Sequence, residues 1–238
     1  MKTLDQLKVK IFADGADLKD MLELYAYPYI KGFTTNPTLM RKSGITDYES
    51  FAQQILERIT DRPISFEIFS DEFVEMERQA RKISSWGKNV YVKIPVTNTR
   101  RESTVELIHR LASEEIQLNV TALMTPKQVE AVSCALSDHA PAYVSVFAGR
   151  IADTGREPAP LMKEALEIMS KYPNQELIWA SPRELLNIFQ ADEIGCHVIT
   201  VTRDILKKLA LVDKDLDEYS LDTVKMFHSD AQTAGYEL

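Results

Sequence analysis

The sequence is poor in the residues that mark cross-linked or low-complexity chains. Its 238 residues include only 8 glycines, 10 prolines and 2 cysteines, and the glycines and prolines do not cluster at a linker. Cys134 and Cys196 lie in no CxxC pattern and near no Cys/His cluster, so a disulfide framework or a structural zinc is not expected. We predict two buried, reduced thiols.

The sequence also lacks long apolar runs and an excess of positive charge. No apolar stretch approaches the roughly 18 residues of a membrane span, and no basic-then-apolar leader opens the chain. The net charge is -8. Because polyanions are bound through clustered positive charge, we expect neither a nucleic-acid nor a membrane partner. These absences predict a cytoplasmic protein.

Short apolar runs rich in Val, Ile and Phe alternate with segments of helical periodicity. The runs cover residues 8–14, 30–36, 64–70, 89–96, 116–124, 142–149, 176–181 and 197–202. Strands that alternate with helices pair in parallel and are buried on both faces. Eight such units predict the α/β class and a closed (β/α)8 TIM barrel. An open doubly wound sheet is the alternative, weakened by the absence of GxGxxG after the first strand.

The length of the chain would allow two small domains, but α/β barrels of this size are commonly one domain. We therefore predict a single barrel domain over residues 1–238. Residues from about 211 to 238 have no strand left to follow, and they predict an additional C-terminal helix that covers the barrel or a neighbouring subunit. This extra helix makes a homo-oligomer our expectation.

Polar residues at the ends of the apolar strands are informative, because chemistry in this barrel takes place at the carboxyl ends of the strands. They are Asp14, Thr34, Thr35, Asn36, Glu67, Lys93, Thr97, Asn119, Thr121, Ser145, Arg150, Asp153, Ser181 and Arg183. Each alone has a structural explanation: Asp14 and Asn36 as helix caps, for example, or Glu67 and Lys93 as an ion pair. Together they are costly to bury unless they are used.

Lys93 interrupts the apolar strand in "NVYVKIPVTNT", residues 89–99. Apolar surroundings disfavour the charged form of a lysine, and a neutral amine is a nucleophile toward carbonyl groups. Lys93 is therefore a candidate Schiff-base lysine. Arg150 and Arg183, with Ser145 and Ser181, suggest a site for a substrate phosphate near strands 6 and 7.

Several motifs resemble the transaldolase family, which includes the small fructose-6-phosphate aldolases. They are "TTNPTLM", "VKIPVT", "LNVTALMTPKQ", "FAGRI", "ASPR" and "MFHSDA". The resemblance implies a barrel without metal or other cofactor, acting on sugar phosphates. It also implies transfer of a dihydroxyacetone unit from a ketose phosphate to an aldose phosphate in the pentose phosphate pathway.

The resemblance also implies roles for single residues. Lys93 would form the Schiff base, Asp14 would shuttle the proton at the cleaved bond, and Glu67 with Thr121 would hold a catalytic water. The residues expected to bind substrate or line its pocket are Thr34, Asn36, Asn119, Ser145, Phe147, Arg150, Ser181 and Arg183.

Two positions favour transaldolase over aldolase. The small aldolases typically carry glutamine in place of Glu67 and tyrosine in place of Phe147. The hydroxyl group of that tyrosine would help to place a water molecule for hydrolysis. An aldolase that releases dihydroxyacetone and a silent sugar-phosphate-binding barrel are the alternatives. The sequence departs from the family pattern after strand 4, where Arg100 and Arg101 predict an altered acceptor preference.

Overall fold

The computed structural model describes residues 4–136 and 140–237, and eight parallel strands form a closed barrel there in the order β1 to β8. The strands are β1 Lys10–Asp14, β2 Ile30–Thr34, β3 Ile64–Glu67, β4 Val90–Pro95, β5 Leu118–Leu123, β6 Ala142–Val146, β7 Gln175–Trp179 and β8 Val198–Thr202. β1 closes the ring by pairing with β8. The predicted (β/α)8 barrel is confirmed.

Helices follow every strand. They are α1 Leu18–Tyr25, α2 Pro37–Lys42, α3 Tyr48–Leu56, α4 Phe73–Ser84, α5 Val105–Ser113, α6 Pro126–Ala135, α7 Ala148–Ala152, α8 Pro158–Met169, α9 Leu186–Glu193, α10 Arg203–Leu206 and α11 Leu216–Ala234, with short 3-10 turns at Leu4–Gln6 and Lys207–Leu211. None of the helices in the described part of the chain has the length and apolar character of a membrane span.

Two helices were not predicted, and both lie at the carboxyl end of a strand. The run 142–149 was expected to be strand throughout, but β6 ends at Val146 and α7 begins at Ala148. α2 follows β2 directly, with Asn36 as its N-cap and proline at its first turn. Short helices of one or two turns carry too little apolar periodicity to be recognised from sequence.

The pleat of the strands separates two apolar cores. Val90, Val92 and Ile94 of β4 face outward into the large core between the sheet and the helices. Inside the barrel a smaller cluster contains Phe12, Tyr91, Tyr143, Ile178, Ala180 and Val198. Tyr143 packs against Phe12 and Tyr91, with ring centroids 5.5 and 4.5 Å apart. This aromatic layer lies two residues below the polar residues along each strand, for example Tyr91 below Lys93, and forms a floor beneath them.

The prediction of two buried thiols is wrong for one of them. Cys196 is buried beside β8, whereas Cys134 is exposed. In α6 the buried positions near it are Val132, Ser133 and Ala135, so Cys134 points away from the core. A short helix with a small, mixed apolar face gives little indication of which side is covered.

The C-terminal helix α11 is present, and none of its residues is buried. Leu216, Val224 and Phe227 are among its exposed apolar side chains, Phe227 with 63% of its surface accessible. Contiguous exposed apolar surface commonly marks an interaction site. Homo-oligomer formation stays a prediction.

Candidate active site

A cavity of about 560 Å³ opens at the carboxyl ends of the strands. Every strand, or the loop directly after it, contributes a polar side chain to its wall: Asp14, Thr34, Glu67, Lys93, Thr121, Ser145, Ser181 and Thr200. Within the described residues, no group of three or more His, Cys, Asp or Glu side chains is arranged to hold a metal ion.

Lys93 lies at the base of this cavity and is 6% exposed. Its Nζ is 3.1 Å from Glu67 Oε2 and donates to the main-chain oxygen of Thr35 at 3.0 Å. The strand register places Glu67 and Asn119 on either side of it. The ion pair suggested by the sequence therefore exists, and the amine faces the cavity rather than the outer core.

Asp14 is the last residue of β1 and lies on the same wall. Its carboxylate is hydrogen-bonded to a pair of threonine hydroxyl groups. Thr34 Oγ1 donates to Asp14 Oδ1 at 2.7 Å and lies 2.5 Å from Thr200 Oγ1. Since the single Thr34 proton is directed to Asp14, Thr200 is the donor in the second contact. Asp14 is not a helix cap, because Asp17 caps α1.

Burial raises the pKa of Asp14, although the positive charge of Lys93 and the Thr34 hydrogen bond act in the opposite direction. A carboxyl group with a raised pKa is a weak acid that exchanges protons closer to neutral pH than an exposed aspartate does. The position of Asp14 thus suits transfer of a proton.

Thr121 and Asn119 lie on β5 at different depths. The Thr121 hydroxyl is buried at the cavity wall and has no hydrogen-bond partner among the described residues. The Asn119 side chain donates to Ser65 Oγ at 2.9 Å and accepts from Ser145 Oγ at 2.7 Å. Asn119 is fully buried and is absent from the cavity lining, so it supports Ser145 from below.

Basic side chains gather where the phosphate was expected. Arg150 lies on α7, with its guanidinium carbon 5.4 Å from the centre of the Phe147 ring, and both line the cavity. Arg183 lies in the loop before α9, which begins only at Leu186. Its guanidinium binds both carboxylate oxygens of Asp153, with an Nε to Oδ1 distance of 2.9 Å.

Ser181 is held beside these residues by an unusual backbone contact. Its φ is 58°, a left-handed conformation that is costly for residues other than glycine. Gly149 of α7 packs against this loop so closely that a Cβ on it would come within 1.5 Å of the Ser181 main-chain oxygen. The missing side chain of Gly149 is what lets α7 and the loop after β7 share one wall.

The loop after β4 does not reach the cavity in this structure. Arg100 binds Asp71, Glu72 and Glu102 in a network on the outer surface. Arg100 and Arg101 are absent from the lining. The predicted effect of this loop on acceptor preference therefore has no contact to support it.

Sequence reasoning missed several residues of the site. Thr200 is a polar residue inside the apolar run 197–202, the same signal that singled out Lys93. Thr38, Leu39 and Lys42 line the rim from α2, while Asn36 lines the cavity and also caps that helix, accepting from the Leu39 amide at 3.0 Å. The Thr35 carbonyl is a main-chain group and leaves no trace in the sequence.

Comparison with known proteins shows the family of the chain. Residues 11–238 match the family model described as "Transaldolase/Fructose-6-phosphate aldolase". The chain belongs to this family. Relatives named "Probable transaldolase" include one from Dehalococcoides mccartyi, 34% identical over 84% of this chain and 90% of that protein. Another, from Caldicellulosiruptor saccharolyticus, is 32% identical over 92% of this chain and 98% of that protein.

Solved structures support the fold at lower identity. A dihydrodipicolinate synthase from Rhodopseudomonas palustris superposes with a TM-score of 0.55 at 16% identity, covering 93% of this chain and 80% of that one. A 2,3-dimethylmalate lyase gives the same TM-score at 13% identity, with 98% and 86% covered. At such identities the likeness concerns the barrel alone.

We predict that Asp14→Asn stabilises the protein at neutral pH. Because the pKa of Asp14 is raised in the folded state, the folded protein binds the proton more tightly than the unfolded chain. The contribution of this group to stability therefore falls as the pH rises from about 3.8, the ordinary value, through the folded value. The melting temperature of Asp14→Asn should exceed that of the wild type at pH 7, with the difference shrinking toward pH 4. An equal difference at both pH values would contradict this.

We predict that Gly149→Ala destabilises the protein. The new methyl group would overlap the Ser181 carbonyl, and overpacking of this kind costs about 1–3 kcal/mol. Urea denaturation followed by circular dichroism measures the change. Gly15→Ala is the matched control, since a Cβ at Gly15 meets no atom within 4 Å. Equal stability of the two variants would argue against the close packing of α7.

Proposed function

We propose that this protein is a transaldolase that transfers a dihydroxyacetone unit from a ketose phosphate, such as fructose 6-phosphate or sedoheptulose 7-phosphate, to an aldose phosphate. One observation carries the proposal. The buried Lys93 amine faces a cavity of sugar-phosphate size, between the Glu67 carboxylate at 3.1 Å and the Thr35 carbonyl at 3.0 Å.

Imine formation needs a neutral amine and a route for protons. Lys93 Nζ, after giving up a proton, attacks the keto carbon and forms a carbinolamine. Loss of its hydroxyl group as water then leaves the iminium on Lys93. Glu67 is in direct contact with the amine, and the Thr121 hydroxyl lies at the same wall without a hydrogen-bond partner within the described residues. We therefore assign to these two side chains the water that carries the protons.

Carbon–carbon cleavage uses the iminium as an electron sink. Asp14 removes the proton of the hydroxyl group next to the breaking bond, and an aldehyde leaves while the bonding electrons move into the iminium to give an enamine. The raised pKa of Asp14 suits proton transfer in both directions. When the new bond forms, the carbonyl oxygen of the acceptor aldehyde must gain a proton to become a hydroxyl group. The Thr34 and Thr200 hydroxyls orient the carboxyl group.

The phosphate of donor and acceptor would lie against Arg150, Arg183 and Ser181. Arg150 lines the cavity without an ion pair in the described part of the chain, whereas Arg183 is already bound to Asp153. We therefore assign the larger share of phosphate binding to Arg150. A cytoplasmic role in the pentose phosphate pathway or a related sugar-phosphate route is part of this proposal, and it rests on the family resemblance.

Phe147 would favour transfer over hydrolysis. It lines the cavity between Ser145 and Arg150 and carries no hydroxyl group with which to hold water. An enamine that is shielded from water waits for an acceptor aldehyde. This feature and Glu67 favour a transaldolase over an aldolase that releases dihydroxyacetone.

We predict that borohydride reduction in the presence of fructose 6-phosphate adds a dihydroxyacetone-derived mass to Lys93. Reduction traps the iminium or imine on the lysine that forms it, and peptide mass spectrometry locates the adduct. Lys93→Ala should lose both the adduct and turnover.

Lys42→Met is the matched control, because Lys42 lines the same cavity. It should retain the adduct on Lys93. An adduct on Lys42, or none on Lys93, would refute the mechanism. A barrel that only binds sugar phosphates would instead give the same thermal shift with fructose 6-phosphate in wild type and Lys93→Ala, with no product from either.

We predict that Phe147→Tyr increases release of free dihydroxyacetone in the absence of acceptor by about threefold to tenfold, the effect of one added hydrogen bond to water. Product analysis from fructose 6-phosphate, with and without erythrose 4-phosphate, measures the partition. Phe69→Tyr is the control, because Phe69 is exposed and lies outside this cavity. An unchanged partition, together with free dihydroxyacetone from the wild type, would favour an aldolase.

A further inference from the structure

Tyr48 is the first residue of α3 and lies behind the candidate active site, outside the barrel wall. Its hydroxyl donates to the main-chain oxygen of Glu67 at 2.8 Å. Glu67 is the last residue of β3, where the ladder to β4 ends and the chain turns toward α4. The bond therefore fixes the peptide from which the Glu67 carboxylate projects into the cavity.

The other acceptor at the Lys93 amine comes from the neighbouring strand end. There Thr35 Oγ1 donates to the Ser65 carbonyl at 2.8 Å, which ties the end of β2 to β3. The main-chain oxygen of Thr35 is one of the two acceptors at the Lys93 amine, and the Glu67 carboxylate is the other. Of these two residues Tyr48 is hydrogen-bonded to Glu67, and it does not line the cavity.

The ring of Tyr48 is held independently of its hydroxyl. It packs against Phe66, Phe69 and Trp86, with ring centroids 6.3, 5.7 and 5.7 Å away. Burial, followed by the nearby Glu67 charge, raises the pKa of the phenol, so that it remains a donor at neutral pH. A phenylalanine would keep the ring contacts and remove only the hydrogen bond.

We propose that Tyr48 is a positioning residue for the reaction, which sets the Glu67 carboxylate beside the Lys93 amine from outside the barrel. The inference rests on the proposed function. Tyr48 would affect the chemical steps rather than substrate binding, because the barrel strands separate its side chain from the cavity.

The test is a double-mutant cycle of Tyr48→Phe and Glu67→Ala, with transfer from fructose 6-phosphate to erythrose 4-phosphate as the readout. Tyr48→Phe should lower kcat by about threefold to tenfold, the effect of one hydrogen bond, and leave the KM for fructose 6-phosphate nearly unchanged. In the Glu67→Ala background it should have little further effect, because the group that it positions is gone. If Tyr48→Phe instead lowered kcat by destabilising the fold in general, it would lower kcat by the same factor in the wild type and in Glu67→Ala.

Tyr25→Phe is the matched control. Its hydroxyl donates to Asp61 at the same 2.8 Å, but at an exposed position away from the cavity, so kcat should not change. Equal kcat for Tyr48→Phe and wild type, where Glu67→Ala is impaired and Lys93 still forms its adduct, would overturn this inference alone. If Glu67→Ala is itself unimpaired, the proposed mechanism is overturned along with it.

Discussion

The structure depends on how a lysine amine is accommodated, away from water, inside a closed barrel. Removing an ammonium group from water is expensive unless oxygen acceptors replace the water, and Lys93 is 6% exposed. The two acceptors come from the ends of β2 and β3, as the Thr35 carbonyl and the Glu67 carboxylate. The β3–β4 register sets Glu67 beside Lys93, while the Thr35 carbonyl comes from the end of β2, two strands away from β4.

The same pleat that presents Lys93 also separates it from the core. Successive residues of β4 alternate between the inside of the barrel and the helices, so Lys93 lies two residues above the aromatic floor made by Tyr91 and its neighbours. A slip of one residue would bury the lysine among the helices and turn a valine or isoleucine into the cavity. On the loop side of this layer, Ala122 and Ser181 have positive φ.

A site residue could be predicted from the sequence when its chemical type differed clearly from that of its neighbours. Lys93 and Glu67 were recognisable because a charged residue stands out in an apolar run, and eight such runs gave the barrel. Thr200 gave a weaker contrast and was overlooked, since threonine is common in strands. The place of Arg183 before α9 and the outward turn of Arg100 were not predictable, because loop geometry and surface ion pairs depend on distant residues such as Asp153 and Asp71. The role of the Thr35 carbonyl could not be predicted, because every residue has a main-chain carbonyl group whatever its side chain.

The two carboxylates of the site differ because only one of them pairs directly with the lysine. Glu67 has the ion pair with Lys93, whereas Asp14 is hydrogen-bonded to Thr34. For Asp14 the cost of burial outweighs the more distant attraction of Lys93, and its pKa is raised. The buried Asp14 carboxyl therefore holds a proton more readily than an exposed aspartate does, which suits a group that must exchange a proton, while Glu67 lies against the Lys93 amine. This arrangement lowers stability at neutral pH, because burial disfavours the charged form of the Asp14 carboxyl group and raises its pKa.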